Sequence, residues 1–423
     1  MEQAKRHSPV QFICGLLVTA IVLLQSFPPF MALSVSLLLS LLCAAVWVVL
    51  AFCAYPGYFI HMRLGRAFPI LYVLFTVIYP YLMGQAGIGN RYVALALLPF
   101  FYLAYEFHRA AWGDRINRVI CWCTVPFFLV TFVRTFLGLL TDPWMARNIS
   151  SSGELTTSLL QQGIGGYFYI YSITLFAVLA ISVFYLDGAS FCRRYARPLI
   201  LVTIVACVLL IVLSNFFTAL IMVVIACILG FLIKDRSIAA KIVLILACLL
   251  LLLFWKPILL GILSFVIDFV PEGRTAQRLA LLYQQLSLGE SLSVFSDRIP
   301  FLGASIEGFL RHPLAGTLID GNLLLHPFES GFGEHSQILD TLSLFGIWGF
   351  SQIPVVVQPF WDRRQGPRQL RVVNICMLSL TLLLFLVDTV TPSIGYVAFF
   401  VFPTVYDYFS QTDSRHPTEV SPV

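Results

Sequence analysis

Residues 30–54 read FMALSVSLLLSLLCAAVWVVLAFCA, an apolar run without one charged side chain. About twenty such residues in a helix cover roughly 30 Å, the thickness of a bilayer's hydrocarbon core. The run is continuous rather than alternating, so it reads as a spanning helix and not as a barrel strand. Outward from it, similar runs recur at 12–27, 68–83, 92–107, 119–140, 167–186, 198–214, 216–233, 242–260, 338–358, 372–388 and 394–409. The expected fold is therefore all-α, a polytopic membrane helix bundle of about twelve transmembrane helices. The pair meeting at Ser214 and Asn215 is short enough to be one bent hairpin or a re-entrant element.

Composition points the same way. Of 423 residues, 59% are hydrophobic, 14% aromatic and only 11% charged, less than half the roughly 25% charge of a soluble domain. That excludes a single water-soluble globule, a disordered chain, collagen and a nucleic-acid binder. With both termini placed on the cytoplasmic side, 18 of the 26 Lys and Arg fall in inner segments, the bias that orients membrane proteins. The net charge of +5 is thus an orientation signal rather than a partner signal. No cleavable signal peptide is expected, because the first apolar run lacks a small-residue cleavage site and a second run follows at once. The ten cysteines sit in spans or at inner-face positions, and their spacing suggests neither a disulfide framework nor a metal site.

Four regions follow: residues 1–260 with spans one to nine, 261–336 as an outer loop, 337–410 with spans ten to twelve, and a cytoplasmic tail at 411–423. A loop of that length in a packed bundle is usually functional or separately folded. Within it, TAQRLALLYQQLS (275–287) and PFLGASIEGFLR (300–311) read as amphipathic helices, the second with Leu302, Ile306 and Phe309 or Leu310 at helical spacing. Such helices lie on the membrane surface or fold back over the bundle. From Gly261 to Glu334 the acids Asp268, Glu272, Glu290, Asp297, Glu307, Asp320, Glu329 and Glu334 outnumber Arg274, Arg278, Arg298 and Arg311. A net acidic loop does not attract anionic lipid in general. Its arginines would act singly, as planar forks matched to phosphate oxygens.

Two side chains stand out. Arg298 precedes Pro300, and proline favours the first turn of a helix, so Arg298 is expected at a helix N-terminus where amides and dipole favour an anion. The competing reading pairs it with Asp297 or Glu307 at the surface, where a salt bridge contributes little. His335 stands where the loop enters span ten. There the helix dipole favours neutral imidazole, which can take a proton from a hydroxyl nucleophile; the competing reading is a polar interface residue capping the span. Glu334 either orients it or is simply solvated. His312 precedes Pro313 and suits a chain turn. Arg134 and Asp388 lie inside spans, where ionised groups are often functional, yet near enough to span ends to snorkel.

The stretch DRIPFLGASIEGFLRHPLAGTL (297–318), followed by EHSQILDTLSLFGIWGF (334–350), resembles the signature of the O-antigen ligase and polymerase superfamily. In that pattern an arginine precedes an apolar helix and a His-Pro-Leu-x-Gly turn. A histidine-led segment ending in Gly-aliphatic-x-Gly then enters the next span. Arg298, His312 to Gly316, His335 and Gly346 to Gly349 match in that order. Two departures stand beside the match: Ser336 where the family usually has asparagine, and Ser214-Asn215-Phe216-Phe217-Thr218 where many members carry a middle-turn arginine.

The resemblance implies a glycosyltransferase at the outer face of a bacterial inner membrane, using an undecaprenyl-diphosphate-linked oligosaccharide and no cofactor or metal. It implies Arg298 and His335 as catalytic residues, the first on the departing diphosphate and the second as general base. Arg311, Arg278, Arg274, Glu334 and His312 are implied in substrate binding, and one of Arg274, Arg278 or Arg311 would supply the missing middle-turn contact. Membrane lipid and a chain-length regulator protein are the implied partners. A polymerase would extend a lipid-linked chain, whereas a ligase would pass the glycan to a lipid core or other acceptor. A transporter predicts interrupted spans with charges at mid-membrane instead. A polyprenyl-phosphate glycosyltransferase with an acidic first outer loop is set aside, because the turn Ser26 to Pro29 holds no acid.

Overall fold

The computed structural model describes residues 9–60, 67–142, 145–149, 154–186, 196–214, 216–233, 237–243, 246, 255–269, 280, 283–284, 287, 298–320, 333, 335–367 and 370–414, and no strand occurs among them. The helices are α1 (Pro9–Ser26), α2 (Ser36–Ala54), α3 (Phe68–Leu82), α4 (Leu97–Trp112), α5 (Arg115–Thr141), α6 (Tyr167–Phe184), α7 (Ala196–Leu213) and α8 (Phe217–Ile233). They continue as α9 (Trp255–Phe269), α10 (Arg298–Arg311), α11 (Gln337–Phe345), α12 (Gln352–Trp361), α13 (Arg371–Val387), α14 (Pro392–Tyr396) and α15 (Phe402–Ser414). A 3₁₀ stretch, Gly346–Ser351, joins α11 to α12, and a π turn, Val397–Val401, joins α14 to α15. Among the described residues five helical segments are long and apolar enough to cross a membrane: α1, α2, α5, α6 and the combined Gln337–Trp361. Shorter apolar helices occupy α3, α13 and most of α7 and α8.

Several boundaries differ from the sequence reading. The second span starts at Ser36, because Pro28 opens a separate short helix ending at Met31, as proline does in a first turn. Most of the expected ninth span lies outside the described residues, and α9 runs straight through Gly261, where the loop was placed to begin. Of the amphipathic stretch 275–287 only four positions are described.

Burial sorts the helices by role. In α6, 72% of the hydropathy window is buried, against 17% in α2; α6 is the central post and α2 faces outward. The hydroxyls of the central helix are tied to its own backbone: Ser172 donates to Phe168 O, Thr174 to Ile170 O and Ser182 to Val178 O, all within 2.9 Å. These bonds satisfy polar groups where no water can reach.

Two ends of the bundle differ in chemistry. At one, Asp407 of α15 grips Arg363, just beyond α12, through both carboxylate oxygens at 3.2 and 3.1 Å. Arg109 of α4 reaches the same carboxylate at 3.0 Å, and Glu106 lies 3.6 Å from Arg363. Arg109 lies in the last turn of α4 and Arg363 just past α12, in segments that the charge bias assigns to one side, and the fold brings them to one end. At the other end stand the α5–α6 connection and His335. There Arg134 reaches out of its helix to donate to Gln162 O at 2.7 Å.

Candidate functional site

The site begins with α10. Its described backbone runs from Arg298 to Arg311 and includes Pro300 near its first residue. The Arg298 side chain lies outside the described residues, as do Arg274, Arg278 and Glu334.

From there α10 runs beside α11 in the same direction, joined to it at three levels. At the top, the Phe301 ring meets the His335 imidazole edge to face, centroids 4.3 Å apart. Phe301 is three residues past Arg298, about 4.5 Å of helix rise. In the middle, the Ser305 hydroxyl donates to Asp340 Oδ1 at 2.5 Å and accepts the Gly333 N–H at 3.0 Å. At the bottom, Pro313 O accepts the Ile347 N–H at 2.7 Å. The two motifs quoted from the sequence are thus halves of one packed unit.

Glycine is required where the halves meet. Gly316 has φ +75°, and a Cβ there would stand 2.0 Å from Leu344 O; Gly346 has φ +60°, and its Cβ would stand 2.6 Å from Pro313 O. Both the left-handed backbone and the close approach exclude a side chain. Gly316→Ala should therefore destabilise the protein by about 1–3 kcal/mol, read as a lower unfolding midpoint in detergent. An unchanged midpoint would mean the turn is not docked.

His335 is half-buried and sits immediately before the helix cap rather than inside the helix. The cap is Ser336, whose hydroxyl accepts the Leu339 N–H at 3.2 Å. Serine and asparagine serve equally well in that position. Asp340, 2% exposed, reaches back to accept the Ser336 N–H at 3.2 Å. Sequence reading passed over Asp340 and Ser305. The available signal was an acid in the first turn behind a serine cap, a variant of the capping box with one extra residue.

Below this corner the wall is polar and buried. The Gln337 N–H donates to Asp388 O at 2.9 Å, and Gln337 Oε1 accepts the Val390 N–H at 3.3 Å. Tyr171 stands within side-chain hydrogen-bonding reach of Asp388, Thr218 and Tyr167. Asp388 thus closes the end of α13 against the His335 segment, and its Oδ1 accepts the Thr389 N–H at 2.9 Å.

Other expected residues are placed apart. Arg311 pairs with Glu307 on an exposed face, with 58% and 62% of the side chains accessible, a pair worth little to stability. It lies thirteen residues from Arg298 along α10, about 20 Å. His312 closes the turn through its backbone, donating to Gly308 O and accepting from Gly316 N–H. Among the described residues no group of three His, Cys, Asp or Glu is arranged to hold a metal.

No protein family and no curated protein matches this chain. The likeness to the O-antigen ligase and polymerase superfamily therefore rests on the two motifs. What the fold adds is their mutual docking, with Arg298 and His335 at the same end of the α10–α11 pair.

Proposed function

We propose that this chain is a polymerase of lipid-linked glycans, a polytopic enzyme of the bacterial inner membrane with about twelve spans and cytoplasmic termini. The donor is a polyprenyl-diphosphate oligosaccharide whose tail lies in lipid and whose sugar faces the loop. A hydroxyl of the acceptor sugar gives its proton to the His335 imidazole, and its oxygen attacks the donor's anomeric carbon. The bond from that carbon to the diphosphate breaks, and the electron pair leaves on the diphosphate, where Arg298 meets the growing charge. A chain-length regulator would act on the elongating product.

One observation carries the reading: the helix that starts at Arg298 lays its next turn, through Phe301, against His335. His335 and the first turn of α10, far apart in sequence, thereby share one corner. The test uses purified protein in vesicles with lipid-linked repeat units, following glycan length. Arg298→Ala should slow elongation by about 10²–10³-fold without changing the amount of inserted protein. Ladders as long and as fast as wild type would defeat the proposal. Product formed only when a separate core acceptor is added would make the enzyme a ligase.

A further inference from the structure

From the sequence, an amphipathic helix in the loop either lies on the membrane or folds back on the bundle. The structure of α10 divides into three strips, and each asks for a different neighbour. One strip, Phe301, Ser305 and Gly308, packs on α11, with Ser305 only 1% exposed. A second carries the exposed Glu307–Arg311 pair, which asks for water. The third is apolar and turned away from the protein: Ile306 is 46% exposed, Leu310 69% and, just past the helix, Leu314 72%.

This third strip continues onto a membrane-crossing segment. Leu314 adjoins Pro313, whose carbonyl is bonded to Ile347, and Phe309 meets Phe350 at 6.0 Å between centroids. Ile347, Trp348 and Phe350 are themselves exposed on the outer side of Gln337–Trp361. One apolar surface therefore runs without a break from a spanning segment onto a loop helix. The neighbour of the first part is bilayer hydrocarbon, and burial of branched apolar side chains in water's place is favourable for the second as well.

We infer that α10 is a lipid-facing helix docked along the membrane-crossing α11, with Ile306, Leu310 and Leu314 against the acyl chains of one leaflet and Glu307 and Arg311 on the side turned to water. The occupant of this face is phospholipid acyl chain. The inference needs the membrane-protein reading but not the proposed sugar chemistry. It places the first turn of α10 beside the lipid surface whatever the reaction.

The test attaches an environment-sensitive fluorophore to single cysteines at Leu310→Cys, Leu314→Cys and Glu307→Cys, after replacing the ten native cysteines. The full-length protein is reconstituted in phosphatidylcholine vesicles, with either nitroxide-labelled acyl chains or aqueous iodide as quencher. Positions 310 and 314 should be quenched at least threefold more by the acyl-chain nitroxide than position 307, and position 307 more by iodide. Iodide quenching at all three positions would overturn the inference. Protection of 310 and 314 from both quenchers would overturn it too, because protein would then cover the face. Neither outcome bears on the Arg298→Ala result, so the two proposals fail separately.

Discussion

His335→Ala is expected to lower the turnover of glycan extension by about 10²–10⁴-fold, the usual contribution of a positioned general base. The imidazole is held by its surroundings rather than by its own helix. Phe301 packs against its face or edge from α10, and the next residue, Ser336, is fixed by its cap bond to Leu339 N–H and by Asp340. Truncation leaves those bonds in place, so insertion and thermal stability should change little. The loss should fall on kcat more than on KM, because a base acts only as the hydroxyl becomes a nucleophile. His335→Gln keeps a hydrogen-bonding side chain yet supplies no comparable base, and it should be nearly as slow. Turnover within a few-fold of wild type in His335→Ala would remove His335 from the reaction.

The fold class was legible because lipid imposes a coarse rule: long uncharged runs such as 30–54 have few alternatives in any environment. Helix ends were less legible. Pro28 cut a short helix from the start of the second span, and α9 continued through Gly261 because glycine within an apolar segment does not by itself end a helix. In the candidate site, the residues of the two motifs were legible and their supports were not. Ser305 and Asp340 are thirty-five positions apart, and no periodicity links a serine in one helix to a carboxylate in another. The apolar stripe of α10 was recognised, but Leu302, Ile306 and Leu310 say only that one face is greasy. Which face meets protein was decided by the small residues Ser305 and Gly308, whose size lets α11 approach.

Arg363→Ala should destabilise the protein, by less than the about 3–5 kcal/mol of a fully stranded buried charge, because Asp407 keeps Arg109. Arg363 is 5% exposed, and its guanidinium lies over the Tyr105 ring, 5.0 Å from the centroid, with Tyr102 and Tyr406 close by. Burial works against its charge, yet Tyr105, Tyr102, Asp407 and Glu106 more than offset that and hold its pKa well above the ordinary arginine value. Removing the guanidinium would leave the 6%-exposed Asp407 with Arg109, which is bound from a more open position, and the Tyr105 hydroxyl. Arg363→Lys keeps the charge but cannot span both oxygens of Asp407, so it should recover only part of the loss. Because the arginine joins α4, the end of α12 and α15, the damage should spread through the C-terminal helices. Limited proteolysis near residue 414 and the unfolding midpoint in detergent would measure it. Double replacement of Arg363 by Met and Asp407 by Leu, which removes both charges together, should be milder than Arg363→Ala alone. Equal or greater damage from the double variant would mean the pair stabilises by net attraction instead of by avoiding a stranded charge.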